Sequence, residues 1–137
     1  MIESWLQDLV GAAYTPRGRA PEEGFDCYGL LCYVIKQGKG VELPDAHFWG
    51  LRHMEMIGSN ITEPGMPFLD LLSVGVRIQL YDALLLKTGP LAVVDHVGVA
   101  VSEEDFLHCG SKIGGVILDR IKNWLPLIKY IGRLRDT

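Results

Sequence analysis

Residues 23 to 37 read "EGFDCYGLLCYVIKQ" and place a cysteine directly after an aspartate, at the start of an apolar run. Five residues of this segment recur at the i, i+3, i+4, i+7 and i+8 spacing of an amphipathic helix. They are Cys27, Leu30, Leu31, Val34 and Ile35. Asp26 is a favourable N-cap, and Gly38 is the predicted end of the helix. Cys27 is thereby placed on the buried face of the first helical turn.

A cysteine in this position has two interpretations. It is a core residue, because Cys is small and buries readily. Alternatively it is a reactive thiol, because the positive end of the helix dipole favours the thiolate and makes Cys27 easier to ionise. A single helical cysteine is more often a core residue, so the choice depends on the rest of the chain.

The segments on either side of this helix complete an α+β pattern. Before it, apolar residues with helical spacing predict a first amphipathic helix that stops near Gly11. They are Ile2, Trp5, Leu6, Leu9 and Val10. Residues 14–25 contain Pro and Gly and are predicted to form a loop. After the second helix, four short segments rich in β-branched residues predict an antiparallel meander. They cover residues 78–86, 94–101, 105–110 and 115–121.

Helices followed by strands predict a single α+β domain over residues 1–137, with the helices on one face of an antiparallel sheet. An apolar content of 48% in 137 residues is enough for an ordinary core. Residues 38–77 are less regular, and a long segment between core elements is more often functional than idle. We therefore expect this segment to form a wall of the cleft next to Cys27 and to offer Phe48 or Trp49 to the substrate.

Composition and charge argue against several classes of function. A net charge of −4 disfavours nucleic acid as a partner, because phosphate binding needs a basic patch. The locally basic stretch 120–137 is interpreted as a solvated face. The cysteines at positions 27, 32 and 109 lack the spacing of a zinc site, so neither a metal nor another cofactor is predicted. No apolar run approaches the roughly 20 residues of a membrane span. The N-terminus lacks the basic start of a signal peptide, which predicts a chain that is cytoplasmic as synthesised.

Two histidines fall on neighbouring strands of the predicted meander. If residues 102–104 form a three-residue loop, Gly98 faces His108 across the hairpin, and its missing side chain leaves room for the His108 ring. His96 is then the diagonal neighbour of His108 on the same sheet face, within reach of its imidazole. A two-residue loop would turn one histidine to the opposite face.

Cys27, His96 and His108 have the side chains that a nucleophile, a base and an orienting group need. His96 would accept the thiol proton, and His108 would fix the tautomer of His96 through a hydrogen bond. Such a set suits attack on a carbonyl carbon, which gives a thioester that water later cleaves. The competing interpretation is that all three residues are buried for structural reasons.

Other candidate residues also have a structural interpretation. Cys32 lies off the main stripe of its helix and Cys109 points away from the His108 face, so both are interpreted as core residues. Tyr14 fits the edge of the core as well as it fits an active site. Asp26 is a helix cap, whatever else it contacts.

Four short motifs, in this order, resemble those of the NlpC/P60 cysteine peptidases. They are the pair Tyr14 and Gly18, "DCYGL" at 26–30, "HVGVAV" at 96–101 and "FLHCG" at 106–110. The resemblance covers about residues 2–121. It implies a papain-like core in which Cys27 is the nucleophile, His96 the base and His108 the third member of a Cys-His-His triad.

The resemblance also implies that Tyr14, Asp26 and Tyr28 belong to the substrate or oxyanion site, with Tyr14 beside the thiol. Tyr28 stands where the family usually has Ser, about 100° round the helix from the cysteine. We expect it at the rim of the cleft, where it narrows the range of substrates. The usual Gly-Asp turn before the first strand is Tyr81-Asp82 here. These departures concern the substrate rather than the nucleophile.

The same resemblance implies a cysteine hydrolase that cleaves the γ-D-glutamyl to diamino acid bond of bacterial cell-wall peptides. The stretch "GGVILDRIKNWLPLIKYIGRLRD" at 114–136 is similar to the phage tail-associated branch, which implies phage tail proteins as partners and a place in the virion. Two alternatives remain. One is an amidase or acyltransferase acting on small molecules, which Tyr28 favours, and the other is a non-catalytic assembly protein with the same fold.

Overall fold

The computed structural model of the chain describes residues 2–43, 69–90 and 94–134. Its helices are α1 (Ser4–Gln7) and α2 (Cys27–Lys39), and short 3-10 turns lie at Ile121–Asn123 and Leu125–Leu127. Its strands are β1 (Arg19–Ala20), β2 (Gly24–Phe25), β3 (Leu69–Leu72), β4 (Ala83–Leu86), β5 (His96–Ala100), β6 (Asp105–Gly110), β7 (Gly115–Arg120) and β8 (Ile128–Leu134). Within the described ranges, six strands form an antiparallel sheet in the order β3-β8-β4-β5-β6-β7, and β1 pairs with β2. The predicted α+β class is confirmed.

Helix α2 packs across β5 and β6 and carries Cys27 at its first position. The carboxylate of Asp26 accepts a hydrogen bond from the Gly29 N–H at 2.6 Å, which confirms the predicted N-cap. The apolar stripe faces the sheet: Leu30, Val34 and Ile35 are fully buried. The helix therefore brings its N-terminus, and the thiol with it, to the end of the sheet at which β5 begins and β6 ends.

The C-terminal end of α2 differs from the prediction. The helix does not end at Gly38 but continues to Lys39, and Gly40 closes it with a left-handed φ of 70°. Gly38 stays helical beneath the ring of Tyr81, which occupies the space that any side chain at position 38 would need. Tyr81 itself has a φ of 74°, a conformation that favours glycine, so its ring packing offsets backbone strain at this turn.

Helix α1 is shorter than the predicted helix. Its residues are Ser4–Gln7, and the chain then turns until Gly11, which has a φ of 96°. The Gly11 N–H donates to the carbonyl oxygen of Val116 on β7 at 2.9 Å. This bond draws the chain toward the sheet, so the helix stops early, although Leu6 and Leu9 are buried as the pattern predicts.

Both faces of the sheet are apolar, whereas the sequence predicts cover on one face only. The face under α2 is formed by residues that include Ala83, Leu85, Val97, Val99 and Leu107. The opposite face is formed by Leu84, Leu86, Ala100, Phe106, Ile121, Ile128 and Ile131, and the segment 74–78 and Trp124 pack against it. Because side chains alternate along a strand, His108 lies on this second face with Phe106.

The predicted strands are present, β6 with the predicted bounds and the others with narrower ones, and the register of the central hairpin is confirmed. Residues 102–104 form the three-residue loop, closed by a hydrogen bond of 2.9 Å from the Val101 N–H to the Asp105 carbonyl oxygen. Gly98 is the partner of His108 across the two strands. The two histidines therefore stand on one face, in the predicted diagonal relation.

The prediction of a solvated face for the basic stretch is wrong for residues 128–134, which form β8 in the interior of the sheet between β3 and β4. Ile128 and Ile131 are 3% and 0% exposed. Arg133 donates two hydrogen bonds, of 2.9 and 2.8 Å, to the carboxylate of Asp82, which is itself buried. This bidentate pair fixes the end of β8 against the turn before β4.

Gly98 makes room for the ring of Phe106, whereas the sequence predicts that it makes room for the ring of His108. A methyl group at this position would lie 2.6 Å from Cδ2 of Phe106 and 2.9 Å from its Cε2. Phe106 in turn stacks on His108, with ring centroids 4.5 Å apart and planes 19° apart. Gly98 thus positions His108 through Phe106, and the prediction of direct clearance for the histidine is corrected.

Replacing Gly98 by alanine should therefore overpack the second face and lower the free energy of unfolding by roughly 1–3 kcal/mol. Urea unfolding would measure this loss. Gly75→Ala is the matched control, because a methyl group there meets nothing within 4 Å. Equal free energies of unfolding for the two variants would contradict the packing described for Phe106.

Candidate active site

Cys27 is nearly buried at the N-terminal end of α2, with 5% of its surface exposed. Burial raises the pKa of the Cys27 thiol to about 12, and backbone hydrogen bonds from Val97 and Tyr28, which lower the pKa, offset only part of this effect. The predicted ease of ionisation is therefore wrong. At neutral pH the free protein holds a thiol rather than a thiolate at this position.

The segment before the helix is organised around the carboxylate of Asp26, which is 4% exposed. Its Oδ1 accepts hydrogen bonds from the Gly29 N–H at 2.6 Å and from the Arg19 guanidinium at 2.9 Å. Its Oδ2 accepts from the Arg17 N–H at 3.1 Å. Gly29 allows the close approach, because a side chain there would overlap the carbonyl oxygen of Gly18. These contacts fix the first turn of α2, and hence the position of the thiol.

The structure brings together the two histidines that the sequence pairs. Nε2 of His96, at the start of β5, lies 2.9 Å from Nδ1 of His108 on β6. The two rings meet edge to face, with centroids 5.2 Å apart and planes at 68°. The hydrogen bond uses Nε2 of His96, so Nδ1 is the nitrogen that this contact leaves for another partner.

Burial keeps both imidazoles neutral. His108 is 0% exposed, and the Trp124 ring meets it at a steep angle, with centroids 4.8 Å apart. Burial lowers the pKa of His108, although the adjacent Asp119 raises it. Burial also lowers the pKa of His96 to about 4, an effect that His108 strengthens and Asp95 opposes. At pH 7 each ring therefore carries one proton.

Asp119 contacts this pair and is absent from the sequence-based prediction. Its Oδ2 lies 2.9 Å from Nε2 of His108, and its side chain is 28% exposed. The pattern that would have identified it is the register of the next hairpin, in which Phe106 faces Asp119 and His108 faces Ile117. The diagonal rule that places His96 beside His108 also places Asp119 beside His108, one strand further on.

The candidate site is a cleft with two arms, and His96 lies where the arms meet. The first arm, of about 240 Å³, is lined by Tyr14, Pro16, Arg17, Asp26, Cys27 and Cys109. The second, of about 370 Å³, is lined by Thr88, Gly89, Lys112, Ile113 and Trp124. Both arms share Asp95, His96, Gly110 and Ser111. Cys27 and His96 therefore line the same arm, and His96 also lines the other.

The two tyrosines predicted for the substrate site have different positions. Tyr14 lines the same arm as Cys27, and burial, together with the nearby Asp26 and Cys27, raises the pKa of its hydroxyl. Tyr28 is 4% exposed, and the Arg19 guanidinium lies over its ring at 5.7 Å from the centroid. The predicted position of Tyr28 at the cleft rim is therefore wrong, because the ring packs beneath Arg19.

The remaining candidates are structural or lie outside the described residues. Cys109 is fully buried, and its S–H donates to the carbonyl oxygen of Phe25 at 3.2 Å, in agreement with a core role. Cys32 is half-buried on α2. The predicted contribution of Phe48 and Trp49 to the cleft falls on residues that the structure does not describe.

Within residues 2–43, 69–90 and 94–134, no group of three or more His, Cys, Asp or Glu side chains is arranged to hold a metal ion. None of the helices in this part of the chain combines the length and the apolar character that a membrane span requires.

Comparison with solved structures identifies the fold. The NlpC/p60 domain of the peptidoglycan hydrolase SagA matches 95% of this chain and 93% of its own length, with a TM-score of 0.60 and 18% identity. A Staphylococcus aureus protein described as similar to a lipoprotein of the NLP/P60 family matches 95% of this chain, with a TM-score of 0.64 and 18% identity. The chain has the NlpC/P60 fold. The resemblance that the four sequence motifs indicate is confirmed at the level of the fold.

Sequence comparison adds one local match to the NlpC/P60 fold. Over 38 residues, or 28% of the chain, it is 45% identical to the gamma-DL-glutamyl hydrolase of Bacillus subtilis. The chain matches 9% of that protein's length and 39% of the Staphylococcus aureus protein. No protein-family model matches the chain.

Proposed function

We propose that this chain is a cysteine hydrolase that cleaves an amide bond in bacterial cell-wall peptides through a thioester on Cys27. The observation that carries the proposal is the cleft. Cys27 and His96 line it together, and His108 holds the Nε2 side of the His96 ring. A nucleophile, a base and a group that orients the base then occupy one site, as acyl transfer requires.

The proposed reaction begins from a neutral thiol and a neutral imidazole. Because neither group is charged, the S–H proton of Cys27 passes to Nδ1 of His96 as the sulfur bonds to the carbonyl carbon. His96 returns this proton to the amine nitrogen as the C–N bond breaks, which leaves a thioester on Cys27. Water then gives a proton to Nδ1 of His96 as its oxygen bonds to the thioester carbon. The C–S bond breaks, the acid is released, and His96 returns the proton to the sulfur of Cys27.

The oxyanion that forms during attack needs hydrogen-bond donors close to the sulfur. We assign this role to the backbone N–H of Cys27 at the start of α2 and to the hydroxyl of Tyr14, which lines the same arm of the cleft. Asp26 has an indirect role, because its carboxylate is occupied by the backbone and by Arg19. It fixes the loop and the first turn rather than the substrate.

The shape of the cleft supports a peptide substrate. An amide bond placed at His96 has one arm of the cleft on each side, so the substrate extends in both directions from the bond that breaks. Arg17 lines one arm and Lys112 the other, which suits a peptide that carries carboxylates. Together with the names of the similar proteins, this favours the γ-D-glutamyl to diamino acid bond as the specific target.

Two observations favour this proposal over the alternatives. Tyr28 is buried, so it no longer favours a small-molecule amidase or acyltransferase. A non-catalytic assembly protein would have no need for neutral imidazoles hydrogen-bonded to each other at a cleft. A single catalytic domain over residues 1–137 and an association with phage tail proteins remain predictions from the sequence.

Purified peptidoglycan fragments incubated with the chain and analysed by mass spectrometry test this proposal. We expect products cut between γ-D-glutamate and the diamino acid, and no products with Cys27→Ala. A peptide with a γ-linkage between two glutamates serves as the comparison substrate. Cleavage of that peptide alone would move the target to another γ-glutamyl bond. Failure to cleave either peptide at any enzyme concentration would contradict the proposal.

The lowered pKa of His96 predicts that the reaction stays active to a lower pH than an ordinary histidine base would allow. Protonated His96 cannot accept the thiol proton, so activity is lost as pH falls through the pKa of about 4 rather than through 6.5. The profile of kcat/KM against pH measures this limit in the free enzyme, where the two imidazoles titrate as a pair. A half-maximal value near pH 6.5 would contradict the burial of His96.

The same pKa predicts how folding stability depends on pH. The folded pKa of His96 lies below the unfolded value, so the unfolded chain binds more protons between these values. The contribution of His96 to stability is complete above about pH 6.5 and falls as pH drops toward 4. Urea unfolding at a series of pH values should show this fall, and it should be smaller in His96→Gln.

A further inference from the structure

Asp119 is the outermost of three hydrogen-bonded side chains that lead from the partly exposed end of the series to the cleft. Its carboxylate contacts Nε2 of His108 at 2.9 Å, and Nδ1 of His108 contacts Nε2 of His96 at 2.9 Å. The three residues come from adjacent strands, β7, β6 and β5, so the sheet register fixes their order. His96 is the only one of the three that lines the described cleft.

The carboxylate of Asp119 determines which atom donates in each hydrogen bond between these three side chains. A carboxylate accepts hydrogen bonds and does not donate them, so the proton between Asp119 and His108 belongs to Nε2 of His108. His108 is fully buried and packs against the rings of Phe106 and Trp124, which favours its neutral form with one proton. Its Nδ1 is then an acceptor.

The protonation of His108 determines the tautomer of His96, the ring that lines the cleft. Since Nδ1 of His108 accepts, Nε2 of His96 must carry the proton of their shared hydrogen bond. Nδ1 of His96 is left with its lone pair, and this is the form that accepts a proton from a thiol. If the donors and acceptors of these hydrogen bonds were exchanged, Nδ1 of His96 would carry a proton and could not act as a base.

We infer that Asp119 is a positioning residue that selects the base-competent tautomer of His96 through His108. The inference rests on the proposed function for its effect on rate, but not for its effect on the tautomer. Asp119 does not line either arm of the cleft, so its removal should affect turnover much more than substrate binding.

The tautomer can be measured directly by long-range ¹H–¹⁵N correlation spectra of the full chain with ¹⁵N-labelled histidine at pH 7. His47→Gln and His53→Gln simplify the spectrum, because they leave the rings of His96 and His108 as the only imidazoles. In the otherwise wild-type chain we expect both rings to be neutral, each with its proton on Nε2. A proton on Nδ1 of His96 would overturn the inference, whether or not the chain hydrolyses any peptide.

Variants at position 119 connect the tautomer to the rate. Asp119→Ala should give His96 a mixture of tautomers and lower kcat roughly 10- to 100-fold with little change in KM, the scale seen for outer partners of functional histidines. Asp119→Glu restores an acceptor and should recover most of both losses. Asp8→Ala, which removes an exposed carboxylate on the turn after α1, should change neither quantity.

These variants separate a positioning role from a structural one. A structural role would lower the free energy of unfolding of Asp119→Ala and leave the tautomer of His96 and kcat of the folded protein as they are. That result would overturn the inference. A mixed tautomer with an unchanged kcat would overturn the link to catalysis. If the tautomer behaves as expected and no peptide is cleaved by the wild-type chain, the proposed function fails and the tautomer assignment stands.

Discussion

Cys27→Ala is expected to lower the rate of peptide hydrolysis by about 10⁴-fold or more, because the thioester cannot form without the sulfur. The substitution removes one sulfur atom beside the start of α2, so the fold should persist. The rate of product release from a cell-wall peptide, measured by mass spectrometry, gives the loss. Cys27→Ser should be almost as inactive, since a hydroxyl gives up its proton far less readily than a thiol.

Cys109→Ala is the matched control for this variant. Cys109 is also a buried cysteine that lines the same arm of the cleft, and its S–H is hydrogen-bonded to the Phe25 carbonyl oxygen. Its loss should lower stability and leave the rate per folded molecule close to that of the wild type. If activity survives in Cys27→Ala and disappears in Cys109→Ala, the nucleophile is Cys109 and the assignment to Cys27 is wrong.

His96→Ala is expected to be nearly as severe as Cys27→Ala, because every proton transfer of the proposed reaction uses Nδ1 of His96. The double variant should be no worse than Cys27→Ala alone, since residues that act as a unit give non-additive losses. His108→Ala should be milder, roughly 10- to 100-fold, because His108 orients the base and transfers no proton in the reaction. Initial rates of the four proteins on one substrate provide the comparison.

His108→Gln tests the direction of the hydrogen bonds as well as their presence. A glutamine amide has an oxygen that can accept the proton on Nε2 of His96 and an NH₂ group that can donate to Asp119. It therefore preserves the polarity of His108 and should recover part of the activity lost in His108→Ala. Equal rates for the Ala and Gln variants would contradict an orienting role for His108.

The sequence predicted the parts of the site that depend on local rules. Asp26 caps α2 because its side chain follows a general preference at helix starts, and the spacing of the apolar residues orients Cys27 toward the sheet. The contact between His96 and His108 follows from the length of one hairpin loop. Asp119 could be found by the same rule, had it been applied to the next hairpin.

Other features depend on tertiary contacts that local patterns do not contain. Strand β8 is interrupted by charged residues, and its burial follows from pairing with β3 and β4 on either side. Burial of Cys27 under the assembled domain raises the pKa of its thiol, and it outweighs the backbone hydrogen bonds from Val97 and Tyr28 that lower this pKa. The ring of Tyr28 is covered by Arg19 of β1, a contact between segments that the helical wheel does not show.

The thioester on Cys27 is the central claim, and a quenched reaction tests it most directly. The wild-type chain is mixed with a cell-wall peptide, stopped with acid within the first turnover, digested and analysed by tandem mass spectrometry. We expect the acyl part of the substrate, ending at its γ-glutamyl carbonyl, on the sulfur of Cys27. An acyl group on Cys32 or Cys109, or product formed at the wild-type rate by Cys27→Ala, would contradict the account.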